Sequence, residues 1–228
     1  VNIAQYKAAK ELRRLQEWQP RAICESCKKP IATCYCSLIR PFSSDPQIVI
    51  LIHHSEVKRT IATGRMSHLC LKNSYFFEGT DFTHDEKVNA LLADPRFHPV
   101  VLYPSPTAVN LSLLTLEQRR GQFPTDKQLL VFVIDGTWSQ AKRVRRLSQN
   151  ISQLPYICFT PPRPSGFRVR QQPAEHCFST IESIHHLIEL MGGGGDDAHA
   201  SMLRTFDRMV EQQVEYGHLR SFRHKVIK

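Results

Sequence analysis

Four short, uninterrupted apolar stretches constrain this chain more than any other feature of its sequence. They are QIVILIHH from Gln47, VVLYPS over Val100 to Ser105, LLVFVIDG over Leu129 to Gly136 and YICFT over Tyr156 to Thr160. A strand with one wet face alternates apolar and polar residues, whereas a strand covered on both faces reads as a continuous apolar run. Such runs belong to parallel sheets enclosed by helices. Helical periodicity fills the gaps, at about Ala62 to Lys72, Thr83 to Ala93 and Trp138 to Gln149, and later at Thr180 to Met191 and Ser201 to Tyr216. This alternation predicts an α/β domain with a mainly parallel sheet flanked by helices. The longest pure runs, Ile48 to Ile52 and Leu129 to Ile134, fall far short of the ~18 residues of a membrane span, so no membrane segment is expected. Gly192 to Gly195 reads as a flexible link between the last two helices.

A different kind of segment precedes the first strand. Ala4 to Trp18 carries Ala8, Leu12 and Leu15 at helical spacing, Pro20 ends it, and CESCKKPIATCYC follows. The N-terminal residues scatter charge and lack the apolar centre of a secretory signal, so a cytoplasmic protein is expected. Four thiols packed as C-x2-C-x6-C-x-C do not form disulfides in a reducing compartment. Cys24, Cys27, Cys34 and Cys36 are therefore expected to hold one structural zinc ion tetrahedrally, with no position left open for catalysis. Cys70, Cys158 and Cys177 are isolated and stay outside that set. The division expected is a helix and zinc module over 1–45 and a catalytic domain over 46–228.

Charge adds a partner class. Lys and Arg number 30 against 21 Asp and Glu, a net charge of +9. Between Gly136 and Ala174 lie Lys142, Arg143, Arg145, Arg146, Arg163, Arg168 and Arg170 with no acidic residue among them. A run of this kind is the footprint of a phosphate-rich partner and points to nucleic acid, RNA or DNA. The C-terminal stretch adds Arg204, Arg208, Arg220, Arg223, Lys225 and Lys228, offset in part by Asp207, Glu211 and Glu215.

Helix starts are marked by capping boxes at Thr83 with Glu86, Thr137 with Gln140 and Ser179 with Glu182. Thr137 follows LLVFVIDG directly, so Asp135 ends a buried strand and its carboxylate belongs at the carboxyl edge of the sheet. Open α/β sheets bind their ligands at that edge. An Asp-Gly pair also serves simply to turn the chain, and Trp138 simply to fill a core.

Four ordered segments carry a resemblance: HHSEVKRTIATG (His53 to Gly64), LYPS (Leu102 to Ser105), DGTWSQAKR (Asp135 to Arg143) and RPSGFRVRQQPAEHCFSTIES (Arg163 to Ser183). Together they resemble the DTW-domain family over roughly Cys24 to Leu190, and the cysteine cluster is similar to that of bacterial members. The resemblance implies a tRNA-uridine aminocarboxypropyltransferase that uses S-adenosylmethionine. Its fold would be related to that of the trefoil-knotted SPOUT methyltransferases. It further implies transfer of the 3-amino-3-carboxypropyl group to N3 of a variable-loop uridine, with release of methylthioadenosine. The sequence departs from the usual pattern at Ile61-Ala62, where an Asn is more usual, and in reading FSTIES for LSTIEA.

Set against that chemistry, the residues take roles. No GxGxxG is present, so a conventional Rossmann cofactor site has no support. The cofactor is expected against Leu102, Tyr103, Pro104 and Ser105, at Asp135 and Gly136, and at the turn of Ser179, Thr180 and Glu182, where a helix N-terminus suits the methionine carboxylate. Arg163 or Arg168 is a second candidate for that carboxylate. Asp135, Thr137 and Trp138 are expected at the chemistry, with Asp135 accepting the uridine N3 proton and Trp138 stacking on uracil or adenine. His54 and Glu56 rank behind them. The basic run from Lys142 to Arg170 is expected to hold tRNA, and no obligate protein partner is implied. A SPOUT-type methyltransferase, a ribosomal RNA aminocarboxypropyltransferase and a non-catalytic zinc RNA-binding module are the alternatives.

Overall fold

In the computed structural model, which describes residues 3–8, 22–57, 59, 61–169 and 177–226 with side chains as far as 215, the four apolar runs lie side by side in a parallel sheet. They form β1 (Gln47–His53), β3 (Phe97–Leu102), β5 (Gln128–Asp135) and β6 (Tyr156–Cys158). With β2 (Tyr75–Gly79) and β4 (Val109–Asn110) they make six strands in the order β2-β1-β5-β3-β6-β4, every pairing parallel. From β1 onwards, eight α-helices accompany the strands among the described residues: α1 (His54–Val57), α2 (Thr63–Cys70), α3 (Glu86–Ala93), α4 (Leu116–Arg120), α5 (Trp138–Leu147), α6 (Gln149–Ser152), α7 (Thr180–Leu190) and α8 (Asp197–Val226). Among the described residues no helix is long and apolar enough to cross a membrane.

Side chains alternate across a strand, so residue parity sorts the core into two layers. Ile48 and Ile50 of β1 and Val131 and Val133 of β5 face one layer with Met66 of α2, Ile181 and Ile184 of α7 and Phe206 of α8. Val49 and Leu51, with Leu130, Phe132 and Ile134, face the other, against Val88 of α3, Val144 of α5 and Ile151 of α6. Each fully buried side chain of this size contributes about 1.5–3 kcal/mol relative to exposure. Parity also decides where Asp135 points: it shares the α2/α7/α8 side with Val131 and Val133. Cys27 and Tyr35 of the cysteine segment are buried in that same layer.

Several expectations shift on inspection. Asp85, not Thr83, caps α3, accepting from the amides of Lys87 and Val88 at 3.0 Å each. A carboxylate is a stronger acceptor at the positive end of a helix than a hydroxyl. Thr83 instead bonds Asp81 and the Leu147 carbonyl and accepts from the Gln149 amide. The helix expected to run to Gln149 stops at Leu147, because Ser148 leaves helical geometry and its hydroxyl accepts from the Phe82 amide. β3 begins at Phe97, upstream of the expected Val100, and includes Pro99. Amides of Val101 and Tyr103 donate towards the β6 side, so the amide that Pro99 lacks would face that side before β6 begins.

The last helix starts at Asp197 and is longer than the expected Ser201 to Tyr216. The Gly192 to Gly195 segment is a shaped turn: three of its glycines have positive φ, and the Gly193 amide closes on the Ile188 carbonyl. Residues 3–8 are helical, and the remainder of the helix expected up to Trp18 lies outside the described residues. β2, β4, α1, α4 and α6 were not anticipated.

Candidate active site and metal centre

The connections part above β5. The chain leaves β1 towards β2 at one edge and leaves β3 and β5 towards the other edge, and a crevice opens at such a switch point. The cleft there has a volume of about 670 Å3, within the range of small-molecule sites. Its floor is Val133 to Asp135, one wall is Leu102 to Pro104 leaving β3, and another is Gly136 to Ser139 entering α5. Phe159, Phe167 and Phe178 close it on an apolar side, with Ser179 and Thr180 at the start of α7. Ser105 and Glu182 do not line it. Thr63, Cys158, Cys177 and the three phenylalanines line it and were not singled out from sequence.

Asp135 is the carboxylate among the lining residues, and it is 5% exposed. Thr180 Oγ1 donates to its Oδ1 at 2.6 Å, and Thr63 Oγ1 reaches the same oxygen at 3.5 Å. These donors come from α7 and α2, the helices on the face to which parity directs the side chain. Gly64 lies so close that a Cβ there would sit 2.6 Å from Asp135 Cγ and Oδ2. α2 has Ala62 at its N-cap and no side-chain cap of its own. α5 is closed by a full capping box between Thr137 and Gln140. The carboxylate thus lies against the first turns of α2 and α7, whose positive ends attract an anion.

Trp138, the first residue of α5, is 44% exposed at the cleft mouth, edge-on to Tyr103 with ring centroids 6.2 Å apart. Lys142 and Arg146 follow it at four-residue spacing, and with Arg143 they are exposed, so a basic stripe leads away from the mouth. Arg145 departs from that stripe: its guanidinium lies 5.0 Å from the Tyr103 ring and 5.9 Å from the Tyr156 ring, a packing position. Arg163 and Arg168 are exposed on the loop before α7. Burial raises the Asp207 carboxyl, and Arg163 and Arg168 pull it back down. Arg170, the segment 171–176 and the side chains of Arg220, Arg223, Lys225 and Lys228 lie outside the described residues.

Glu182 is 2% exposed and fully engaged. Its Oε1 accepts from the Gly166 amide at 2.7 Å, and its Oε2 accepts from Ser165 Oγ at 2.7 Å and from the Ser179 amide and hydroxyl at 2.8 and 2.6 Å. It fastens the Arg163 to Phe167 loop to α7. His54 bonds Thr80 Oγ1 at 2.7 Å, and Glu56 is buried against Arg59 Nε at 3.2 Å; neither lines the cleft.

The cysteine segment folds into a compact donor set. Cys24 Sγ and Cys36 Sγ are 3.7 Å apart, as are those of Cys27 and Cys34, and all four atoms lie within 4.8 Å of one another. A tetrahedron with Zn–S bonds of about 2.3 Å has S···S edges of about 3.8 Å, which the Cys24–Cys36 and Cys27–Cys34 pairs match, so the donor set is compatible with zinc. The tight turn returns the Lys28 amide to the Cys24 carbonyl at 2.9 Å, with Lys28 at φ 59°. Amides of Cys27 and Ser26 lower the Cys24 thiol to about 6. Lys29 is 1% exposed, its ammonium 5.9 Å from the Tyr35 ring centroid; burial lowers its pKa and the Cys27 charge opposes that. A buried cation here would offset the excess negative charge that four thiolates carry around a divalent ion.

A second group, His185, Glu189 and His199, also brings three donor atoms within 4.8 Å. The two imidazoles are stacked, with centroids 3.8 Å and planes 18° apart, so their in-plane lone pairs do not converge on one point. Burial, with His199 adjacent, lowers His185 to about 4, and the stacked pair packs α7 against α8.

Fold and site together define an α/β protein with a cleft of small-molecule size at the carboxyl edge of a parallel sheet, beside a cationic surface. The chain belongs to the DTW domain family, which matches residues 21–214. It is 27% identical over 201 residues to tRNA-uridine aminocarboxypropyltransferase 2 of Drosophila melanogaster, covering 85% of this chain and 76% of the fly protein. The Mus musculus protein of that name is 24% identical, covering 86% of this chain and 65% of its own length. tRNA-uridine aminocarboxypropyltransferase A of Arabidopsis thaliana is 23% identical, with coverage of 86% and 82%. No solved structure matches the chain.

Proposed function

We propose that this protein is a tRNA-uridine aminocarboxypropyltransferase. It moves the 3-amino-3-carboxypropyl group of S-adenosylmethionine to N3 of a tRNA variable-loop uridine. The family membership and the names of the relatives support the reaction class. The observation that carries the reading to this chain's own residues is the fixed carboxylate of Asp135 on the cleft floor, with exposed Trp138 at the mouth.

In the transfer, the N3 electron pair forms a bond to the terminal methylene of the amino-acid arm. The carbon–sulfur bond breaks, its electrons neutralise the sulfonium to give methylthioadenosine, and the N3 proton leaves to solvent. Asp135 accepts the N3–H hydrogen bond and orients the imide; its position against the N-terminal turns of α2 and α7 favours this role over that of a strong base. Trp138 offers a face for the extruded uracil. Leu102 to Pro104, Gly136 and the backbone amides of the Ser179–Thr180 turn hold the S-adenosylmethionine, the α7 N-terminus suiting its carboxylate. Lys142, Arg143 and Arg146, with Arg163 and Arg168, contact tRNA phosphates. Cys24, Cys27, Cys34 and Cys36 hold a structural zinc ion, and their need for free thiols suits the cytoplasm.

Mass spectrometry of tRNA incubated with protein and S-adenosylmethionine tests the reading. The expected products are a uridine heavier by one aminocarboxypropyl group and methylthioadenosine in equal amount. Formation of S-adenosylhomocysteine and a methylated base instead would refute it.

A further inference from the structure

Thr180 stands at the first position of α7, where the resemblance suggests a cofactor contact, yet its hydroxyl is directed elsewhere. Oγ1 donates to Asp135 Oδ1 at 2.6 Å across 45 residues of sequence. This is a short, charge-assisted bond of the kind that fixes a carboxylate's rotamer. Thr63 supports the same oxygen from α2 at 3.5 Å, and Gly64 seats the carboxylate by offering no side chain. The helix that delivers Thr180 is itself anchored: Glu182 ties the preceding Ser179 and the loop at Ser165 and Gly166 into one unit. A floor carboxylate in an open cleft would otherwise turn about its side-chain bonds between several rotamers.

We propose that Thr180 is a positioning residue for the transfer reaction, its hydroxyl holding Asp135 in the orientation that receives the uridine imide. Thr63 is the secondary hydroxyl of the same clamp. The proposal rests on the transferase reading and adds to it a residue that acts through Asp135. Misplacing a reacting group by about 1 Å costs on the order of 10²-fold in rate, so the consequence is kinetic.

The test compares wild type with Thr180→Val, which keeps the shape and removes the donor, and Thr180→Ser, which restores it. Single-turnover product formation is followed by mass spectrometry, and S-adenosylmethionine affinity by calorimetry. Thr180→Val is expected to lower the transfer rate at saturating tRNA and cofactor by roughly 10-fold to 100-fold, with cofactor affinity within about threefold of wild type. Thr180→Ser is expected to recover most of the rate. Should the valine variant fold poorly by thermal melting, Thr180→Ala and Thr63→Val carry the same comparison. Wild-type rate in the valine variant overturns the clamp, as does a loss of cofactor affinity that accounts for the whole effect. Absence of aminocarboxypropyl product from wild type itself overturns the transferase reading and the clamp with it.

Discussion

Gly64→Ala is a change that ordinary helix energetics favours and this site opposes. Gly64 is the second residue of α2, and replacing a helical glycine with alanine gains about 1 kcal/mol in propensity. The new methyl would stand 2.6 Å from Asp135 Cγ and Oδ2 and 2.8 Å from its Cβ, whereas unbonded carbons rest at about 3.5–4.0 Å. Asp135 must therefore withdraw by roughly 1 Å, away from Thr180 Oγ1 and the cleft floor. Crowding of this kind costs about 1–3 kcal/mol, offset in part by the propensity gain, so a net loss below about 2 kcal/mol is expected. For a chain of this size that amounts to a melting temperature lowered by less than about 8 °C. Transfer should fall by about 10²-fold, because the displaced group is the one that meets the substrate. Calorimetric melting and single-turnover mass spectrometry at saturating cofactor read the two effects separately. A folded Gly64→Ala protein with wild-type transfer would refute the placement of Asp135 at the reaction.

Asp135→Asn should retain the fold and most tRNA affinity while transfer falls by ~10²-fold to ~10⁴-fold, since a neutral amide is a poorer acceptor for the N3 proton; near-normal turnover would shift attention to another group. Freshly purified, reduced protein should contain one zinc per chain by elemental analysis, and Cys27→Ser should lose it while Cys70→Ser keeps it; a metal-free wild type would remove the zinc assignment. Reversing the exposed pair Arg143 and Arg146 to Glu should weaken tRNA binding and flatten its dependence on salt with cofactor affinity unchanged, whereas Arg145→Glu should also destabilise the fold through lost packing on Tyr103 and Tyr156. Equal salt slopes for wild type and the Arg143/Arg146 variant would place the tRNA surface elsewhere. Glu182→Gln should lower unfolding free energy by about 1–3 kcal/mol in urea titration, because one amide face would meet donors where the carboxylate now accepts; an unchanged midpoint would count against its role as a fastener.

Reading this chain one element at a time already reveals the parallel sheet, since β1 and β5 are covered on both faces and carry no polar alternation. The capping box at Thr137, the four-thiol cluster and the position of Asp135 at a strand end were legible for the same reason: each is encoded within a dozen or so neighbouring residues. Edge strands β2 and β4 were not, because a short or half-covered strand has too few buried positions to leave a period. Arg145 and Glu182 look from sequence like a phosphate contact and a cofactor contact. Only folding shows the first lying over two tyrosines and the second saturated by four donors. The site itself depends on strand order. β5 inserts between β1 and β3, and parity then turns Asp135 towards α2 and α7, bringing Thr63 within 3.5 Å across 72 residues and Thr180 within 2.6 Å across 45. Local periodicity records which face of an element is buried; it holds no information about which distant element buries it, and that pairing is what makes a strand-end carboxylate into a fixed acceptor.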